Sequence, residues 1–197
     1  MSLFTKIYDP AMRPIENAGL QRFRKDLVGK ARKHVLEIGC GTGLNFPFYN
    51  PATLVTAVDP NPGMLHKAKH RAQLADANIS VMQGSVEELP FPADIFDSVV
   101  CTLVLCSVPN VDLALAELTR VCKPGGTMLF MEHVRAQQPV VGKIQDFLTP
   151  AWKKLCDGCC LNRNTRLNIE RAKIETTSVQ YHYGHAMFIL EGKNMKE

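Results

Sequence analysis

Gly39, Gly41 and Gly43 alternate with Cys40 and Thr42 directly after the apolar stretch Val35-Leu36-Glu37-Ile38, and Asp59 closes the next apolar stretch, Leu54 to Val58. Val35 to Ile38 reads as a buried strand. Three glycines at its end make a turn whose missing side chains let backbone N–H groups approach a ligand, and the turn is expected to open a helix. A carboxylate roughly twenty residues further on, at a strand end, is placed to accept hydrogen bonds from ribose hydroxyls. Together these residues read as a nucleoside cofactor site.

The spacing selects among cofactors. A dinucleotide fingerprint runs G-x-G-x-x-G, its third glycine packing the helix whose N-terminus holds a pyrophosphate. Here the order is G-x-G-x-G, with Leu44 where that third glycine would fall. With Glu37 two residues ahead of the first glycine, the pattern favours S-adenosylmethionine, which has no pyrophosphate, over NAD or FAD.

Other reactive side chains carry weaker signals. Cys156 and Cys159 form a C-x-x-C pair, but no second pair completes a four-ligand zinc site, and packing is the preferred reading of the seven cysteines over redox or metal chemistry. No metal is expected. His66 and His70 lie among Lys67, Lys69 and Arg71 and read as a solvated helix face, whereas His182 and His185 flank a tight turn. His133 ends an apolar run at the mouth of the sheet, where a histidine either takes a proton or is fixed by packing.

Around these residues strand and helix alternate. Pro60 and Asn61 initiate a helix to about Ala75. Ile79–Gln83 is a third strand and Phe96–Thr102 a fourth, Asp112 caps a helix stopped by Lys123-Pro124-Gly125-Gly126, Thr127–His133 is a fifth strand, and a long helical region fills 139 to 172. Lys173–Tyr181 and His185–Glu191 form a hairpin around Gly184. The expected fold is α/β: a doubly wound, mostly parallel seven-stranded sheet with helices on both faces and a C-terminal antiparallel hairpin. Ligands in such sheets bind beyond the carboxyl ends of the strands.

The chain divides into a basic helical cap, residues 1–33, and a catalytic domain, 34–197. The first segment holds eight lysines and arginines against Asp9, Glu16 and Asp26, more positive than the whole chain's net charge of +4. Leu20, Phe23 and Leu27 share a helical face, so residues 13–33 are expected to dock on the domain; the alternatives are peripheral contact with an anionic membrane or a cap over a lipophilic substrate. No reader motif points to nucleic acid. Apolar content of 46% and charged content of 21% are those of an ordinary globular domain. Without a leader pattern or a membrane-length apolar run, the expected location is cytoplasmic or peripheral to a membrane.

Taken in order, Glu37-x-Gly39-x-Gly41-x-Gly43, Asp59, Gly84 to Phe91 and Arg120-Val121-x-Lys123-Pro124-Gly125-Gly126 resemble class I S-adenosylmethionine-dependent methyltransferases across nearly the whole chain. Within that group, Cys101 to Val108, Phe130-Met131-Glu132-His133-Val134 and Pro150-Ala151-Trp152 with Cys156-Asp157-Gly158-Cys159 are similar to methyltransferase-like thiol S-methyltransferases. The resemblance implies methyl transfer to a small or lipid-like acceptor, a thiol first. Phosphatidylethanolamine N-methylation and quinone-type C-methylation are alternatives, and a non-catalytic S-adenosylmethionine-binding protein is a different class. It further implies that Gly39, Gly41 and Gly43 border the methionine part of the cofactor, with Tyr8 closing over the amino-acid moiety and Glu37 and Asn45 also among the cofactor-binding residues. Asp59 would hold the ribose, Pro60, Met64, Ser85 and Val86 the adenine, and Thr102 and Leu103 the reactive end. S-adenosylhomocysteine would be the product, and His133 the candidate proton acceptor.

Overall fold

The computed structural model describes residues 3–196. Seven strands, β1 (His34–Ile38), β2 (Leu54–Asp59), β3 (Asn78–Gln83), β4 (Phe96–Thr102), β5 (Cys122–His133), β6 (Ile174–His182) and β7 (Met187–Asn194), form one sheet in the order β3-β2-β1-β4-β5-β7-β6. The five strands from β3 to β5 are parallel, while β7 runs antiparallel to both β5 and β6. The mostly parallel sheet with its terminal antiparallel hairpin is the expected one. Chain order reverses between β1 and β4, so a crevice opens where their carboxyl ends diverge.

Alternation along the strands builds two cores. In β1, Leu36 and Ile38 join Val99, Phe130 and Leu115 on one face, and Val35 joins Val55, Leu129 and Leu27 on the other. Both faces are covered, which is why the central strands read as near-continuous apolar runs. Helices α4 (Val111–Val121) and α6 (Thr165–Arg171) pack on the first face; α2 (Gln21–Val28) and α3 (Pro62–Gln73) pack on the second.

Several boundaries differ from the sequence expectation. The glycine turn opens no α-helix: residues 41–45 form turns, followed by one 3-10 turn, Phe46–Phe48. Pro47 and Pro51 remove N–H donors that a continuing helix would use. Asn61 caps α3, in keeping with the expected start, its side chain accepting from the Gly63 and Met64 N–H groups, whereas Asn110 caps α4 in place of Asp112, accepting from Leu113. The region 139–172 is two helices, α5 (Pro139–Leu155) and α6, separated by a turn containing Gly158 at φ 87°.

The amino-terminal segment docks. Helix α1 (Leu3–Ile15) meets α2 through a wide turn over Glu16–Leu20, kinked at Gly19 with φ 126°. Leu20 and Leu27 are buried on the sheet, so the apolar face of this segment is already occupied. The larger exposed apolar face lies instead on α5, where Phe147 is 83% exposed beside Val140, Ile144 and Leu155. Among the described residues no helix is long and apolar enough to cross a membrane.

Candidate functional site

At the switch point lies a cavity of about 500 Å³, the size of a small-molecule site. The expected residues Tyr8, Gly39, Gly41, Asp59, Pro60, Met64, Ser85, Val86 and Leu103 all line it. They arrive from α1, from the ends of β1, β2 and β4, from the start of α3 and from the loop after β3.

The glycine turn is shaped by contacts on both sides. Gly39, at φ 57°, would carry a Cβ only 2.4 Å from Val104, and Gly43, at φ 83°, one 2.6 Å from the Phe46 ring. Both positions therefore exclude side chains for packing. At Gly41 an added Cβ would meet nothing nearer than the Gly39 carbonyl at 4.0 Å, so it would project into the cavity, where a bound molecule would lie.

Asp59 sits buried at the end of β2. Its Oδ2 accepts from the Gly41 N–H at 2.8 Å and its Oδ1 from the Asn61 N–H at 2.8 Å. Burial raises its pKa, the two backbone donors opposing. Each oxygen keeps a lone pair for a hydroxyl donor from the cavity. A cradle without side chains, a fixed carboxylate and apolar faces from Met64 and Val86 fit a nucleoside-bearing cofactor.

Glu37, Asn45, Gly43 and Thr102 do not line this cavity; they lie beneath its floor. Glu37 is buried, its Oε1 accepting from Asn45 Nδ2 at 2.9 Å and its Oε2 from the Tyr49 hydroxyl at 2.7 Å. Burial pushes its pKa up to about 7 against those two hydrogen bonds. Thr102 Oγ1 accepts from Asn45 Nδ2 and from Arg24 Nη1, and Arg24 also donates to Asn45 Oδ1 at 3.0 Å and pairs with Glu16 at 2.9 Å. Arg24, one of the eight basic residues of the cap, is only 3% exposed and ties the cap to the floor.

The opposite wall is Leu103, Val104, Ser107, Val108 and Pro109 with Cys156, Asp157 and Gly158. Its loop is held from behind. Glu132 Oε1 accepts from the Val104 and Leu105 N–H groups at 2.8 and 3.1 Å, and Leu103 is held at φ 59° with its N–H on the Met131 carbonyl at 2.7 Å. Arg163 donates to the Leu105 and Val108 carbonyls. Asn61 Nδ2 donates to Asp157 Oδ2 at 3.3 Å, joining this wall to the Asp59 side.

His133, expected as the candidate proton acceptor, does not line this cavity. Its Nε2 lies 3.1 Å from the Cys159 Sγ, and its buried Nδ1 has no partner among the described residues. Burial by itself would lower the His133 pKa, but the contact with Cys159 wins and raises it. The hydrogen bond between Cys159 and Cys106 outweighs burial and, with His133 and the Trp152 indole, pulls the Cys159 thiol down to about 4. The C-x-x-C spacing flagged Cys159, but its partners are Cys106 and His133 rather than Cys156.

Residues 36–130 match the methyltransferase domain family. The chain is 38% identical over 184 residues to thiol S-methyltransferase TMT1A of Homo sapiens, covering 90% of this chain and 75% of that protein. It is 41% identical over 164 residues to thiol S-methyltransferase TMT1B of Rattus norvegicus, covering 80% of this chain and 66% of that protein. Among solved structures, geranyl diphosphate C-methyltransferase from Streptomyces coelicolor A3(2), in complex with Mg2+, geranyl diphosphate and S-adenosyl-L-homocysteine, superposes with a TM-score of 0.70 at 12% identity. That match covers 90% of this chain and 80% of that one. The chain belongs to the S-adenosylmethionine-dependent methyltransferases. Within them it is similar in sequence to the thiol S-methyltransferases.

Proposed function

We propose that this methyltransferase acts on the sulfur of a small lipophilic thiol. The observation that carries the reading is the chemistry of the cavity wall across from Asp59. Phe4, Leu103, Val104, Val108 and Pro109 make it apolar, and no lysine or histidine is among the described lining residues. An acceptor bound there meets carboxylates, Glu87 and Asp157, which are bases too weak to remove a tightly held proton. A thiol needs little help, since a free pKa near 8.5 already leaves a few per cent thiolate at neutral pH. The names of the two relatives, both thiol S-methyltransferases, support the same acceptor.

When bound, S-adenosylmethionine supplies a methyl group on a sulfonium centre, and cleavage of that C–S bond leaves a neutral thioether. The chain's own part is holding and drying the reactants. Asp59 would accept the ribose hydroxyls, Met64 and Val86 would flank the adenine with Ser85 at its edge, and Phe4 and Tyr8 would close the cavity from α1. The acceptor's S–H proton leaves for water or for a wall carboxylate, Glu87 or Asp157, before the new S–CH3 bond forms.

The test is a panel of a lipophilic thiol, an amine, phosphatidylethanolamine vesicles and a quinol, each incubated with labelled cofactor and read as S-adenosylhomocysteine. Turnover with the thiol is expected, rising about tenfold per pH unit until the thiol's own pKa is reached. Turnover confined to the amine, the vesicles or the quinol would sink the thiol reading. Binding without turnover on any of them would identify a non-catalytic cofactor binder.

A further inference from the structure

Behind the Cys156–Gly158 wall, three soft or borderline donors converge from three separate elements. Cys106 comes from the loop after β4, His133 from the end of β5 and Cys159 from the turn after α5. The Cys159 Sγ is 3.7 Å from the Cys106 Sγ and 3.1 Å from the His133 Nε2, and all three donor atoms lie within 4.8 Å of one another.

We propose that Cys106, His133 and Cys159 bind one thiophilic divalent cation of the Zn(II) class. Tetrahedral zinc with Zn–S near 2.3 Å and Zn–N near 2.0–2.1 Å sets two sulfurs about 3.8 Å apart and a sulfur and a nitrogen about 3.6 Å apart. The sulfur–sulfur edge has that length already, and the sulfur–nitrogen edge needs to open by about 0.5 Å. The two sulfurs are far outside the 2.03–2.05 Å of a disulfide, and both cysteines are free. Two thiolates and an imidazole are the donor set zinc takes in open sites, in which the fourth position holds water or another exogenous ligand.

Two features make the site exchangeable rather than permanent. Among the described residues it has three protein ligands, and none of those residues offers the His133 Nδ1 the outer-shell acceptor that usually strengthens a zinc-bound imidazole. The cation would nonetheless fix the cavity wall, because Ser107 and Gly158, the chain neighbours of Cys106 and Cys159, both line it. This departs from the sequence expectation of no metal. The cluster is invisible in the sequence because its members are separated by 53 and 26 positions.

The experiment uses the full chain, reduced and metal-stripped, titrated with Zn(II) against a chromophoric chelator and separately with Co(II). One Zn(II) per chain is expected, removable by excess chelator, with thiolate-to-Co(II) charge-transfer absorption. A change in the emission of Trp152 is also expected, since it is the chain's single tryptophan and hydrogen-bonds Cys159. Cys106→Ser and Cys159→Ser should each weaken binding by more than about 100-fold, beyond the effect of changes outside the ligand shell, with His133→Gln in the same direction. Cys156→Ser and Cys160→Ser should leave it within about threefold. As a measurement needing no variant, Zn(II) should protect the half-buried Cys159 from alkylation while leaving Cys156 open. Binding that survives Cys106→Ser and Cys159→Ser, no binding, or alkylation of Cys159 unchanged by Zn(II) would each overturn the proposal.

Discussion

Glu37 lies two residues upstream of Gly39, where the ligand turn begins, yet it does its work through protonation beneath the floor. In the unfolded chain its carboxyl ionises near its ordinary 4.5, whereas in the folded protein the proton is kept to about pH 7. Between those values the folded state binds the extra proton, so stability from this group is fully present below pH 4.5 and is lost as pH rises through 7. Glu37→Gln removes that titration while keeping an acceptor for Tyr49 or Asn45. The unfolding free energy of the variant relative to the parent is expected to rise by about 3 kcal/mol between pH 4.5 and pH 8, read from urea denaturation at each pH. Parallel pH profiles for the two proteins would mean that Glu37 is ionised in the fold at all these pH values.

The amino-terminal helices act as one element because Arg24 anchors them. It pairs with Glu16 across the Gly19 kink and donates to Asn45 and Thr102, all in surroundings with little water. Breaking a buried pair by removing one partner leaves the other charge uncompensated. Arg24→Met is therefore expected to cost about 3 kcal/mol, measured as a lower urea midpoint with unchanged slope, and a second change, Glu16→Gln, should recover part of it. If the double variant is no more stable than Arg24→Met alone, the loss comes from the floor hydrogen bonds rather than the ion pair. At this scale much of the fold was legible. The central strands β1, β2, β4 and β5 read as near-continuous apolar runs because both sheet faces are covered there, and runs of that kind survive in a single sequence. The glycine turn misled because Gly-x-Gly-x-Gly is compatible with a following helix, and only the proline spacing after Phe46 argues against one. Arg24 and the Cys106–His133–Cys159 cluster were illegible for another reason: what surrounds them is set by segments remote in the chain.

For the whole molecule, the cavity is closed by a helix held largely by charge. Asp9 of α1 accepts from Thr42 Oγ1 at 2.7 Å and pairs with Lys67 and Arg71 of α3 at 3.3 and 3.2 Å; burial works against the Asp9 carboxylate, but Thr42 and Arg71 hold its pKa below the usual range. These partners are partly exposed, so salt weakens them. Raising salt from about 0.05 to 0.5 M should speed release of S-adenosylhomocysteine about two- to fivefold, and Asp9→Asn should release it faster at low salt with little further response. A salt response retained in Asp9→Asn would place the barrier elsewhere.

The cavity wall runs from Phe4 to Gly158, so whatever fills it touches both the first helix and the turn after α5. A ligand that binds only this assembled state stabilises it in proportion to its own abundance, by about 2.7 kcal/mol at a hundred times its dissociation constant. Marginal differences of that size govern how fast proteases remove a chain from the cell. The abundance of this protein is thereby expected to follow the supply of methyl donor, starvation for the cofactor thinning out the enzyme that consumes it.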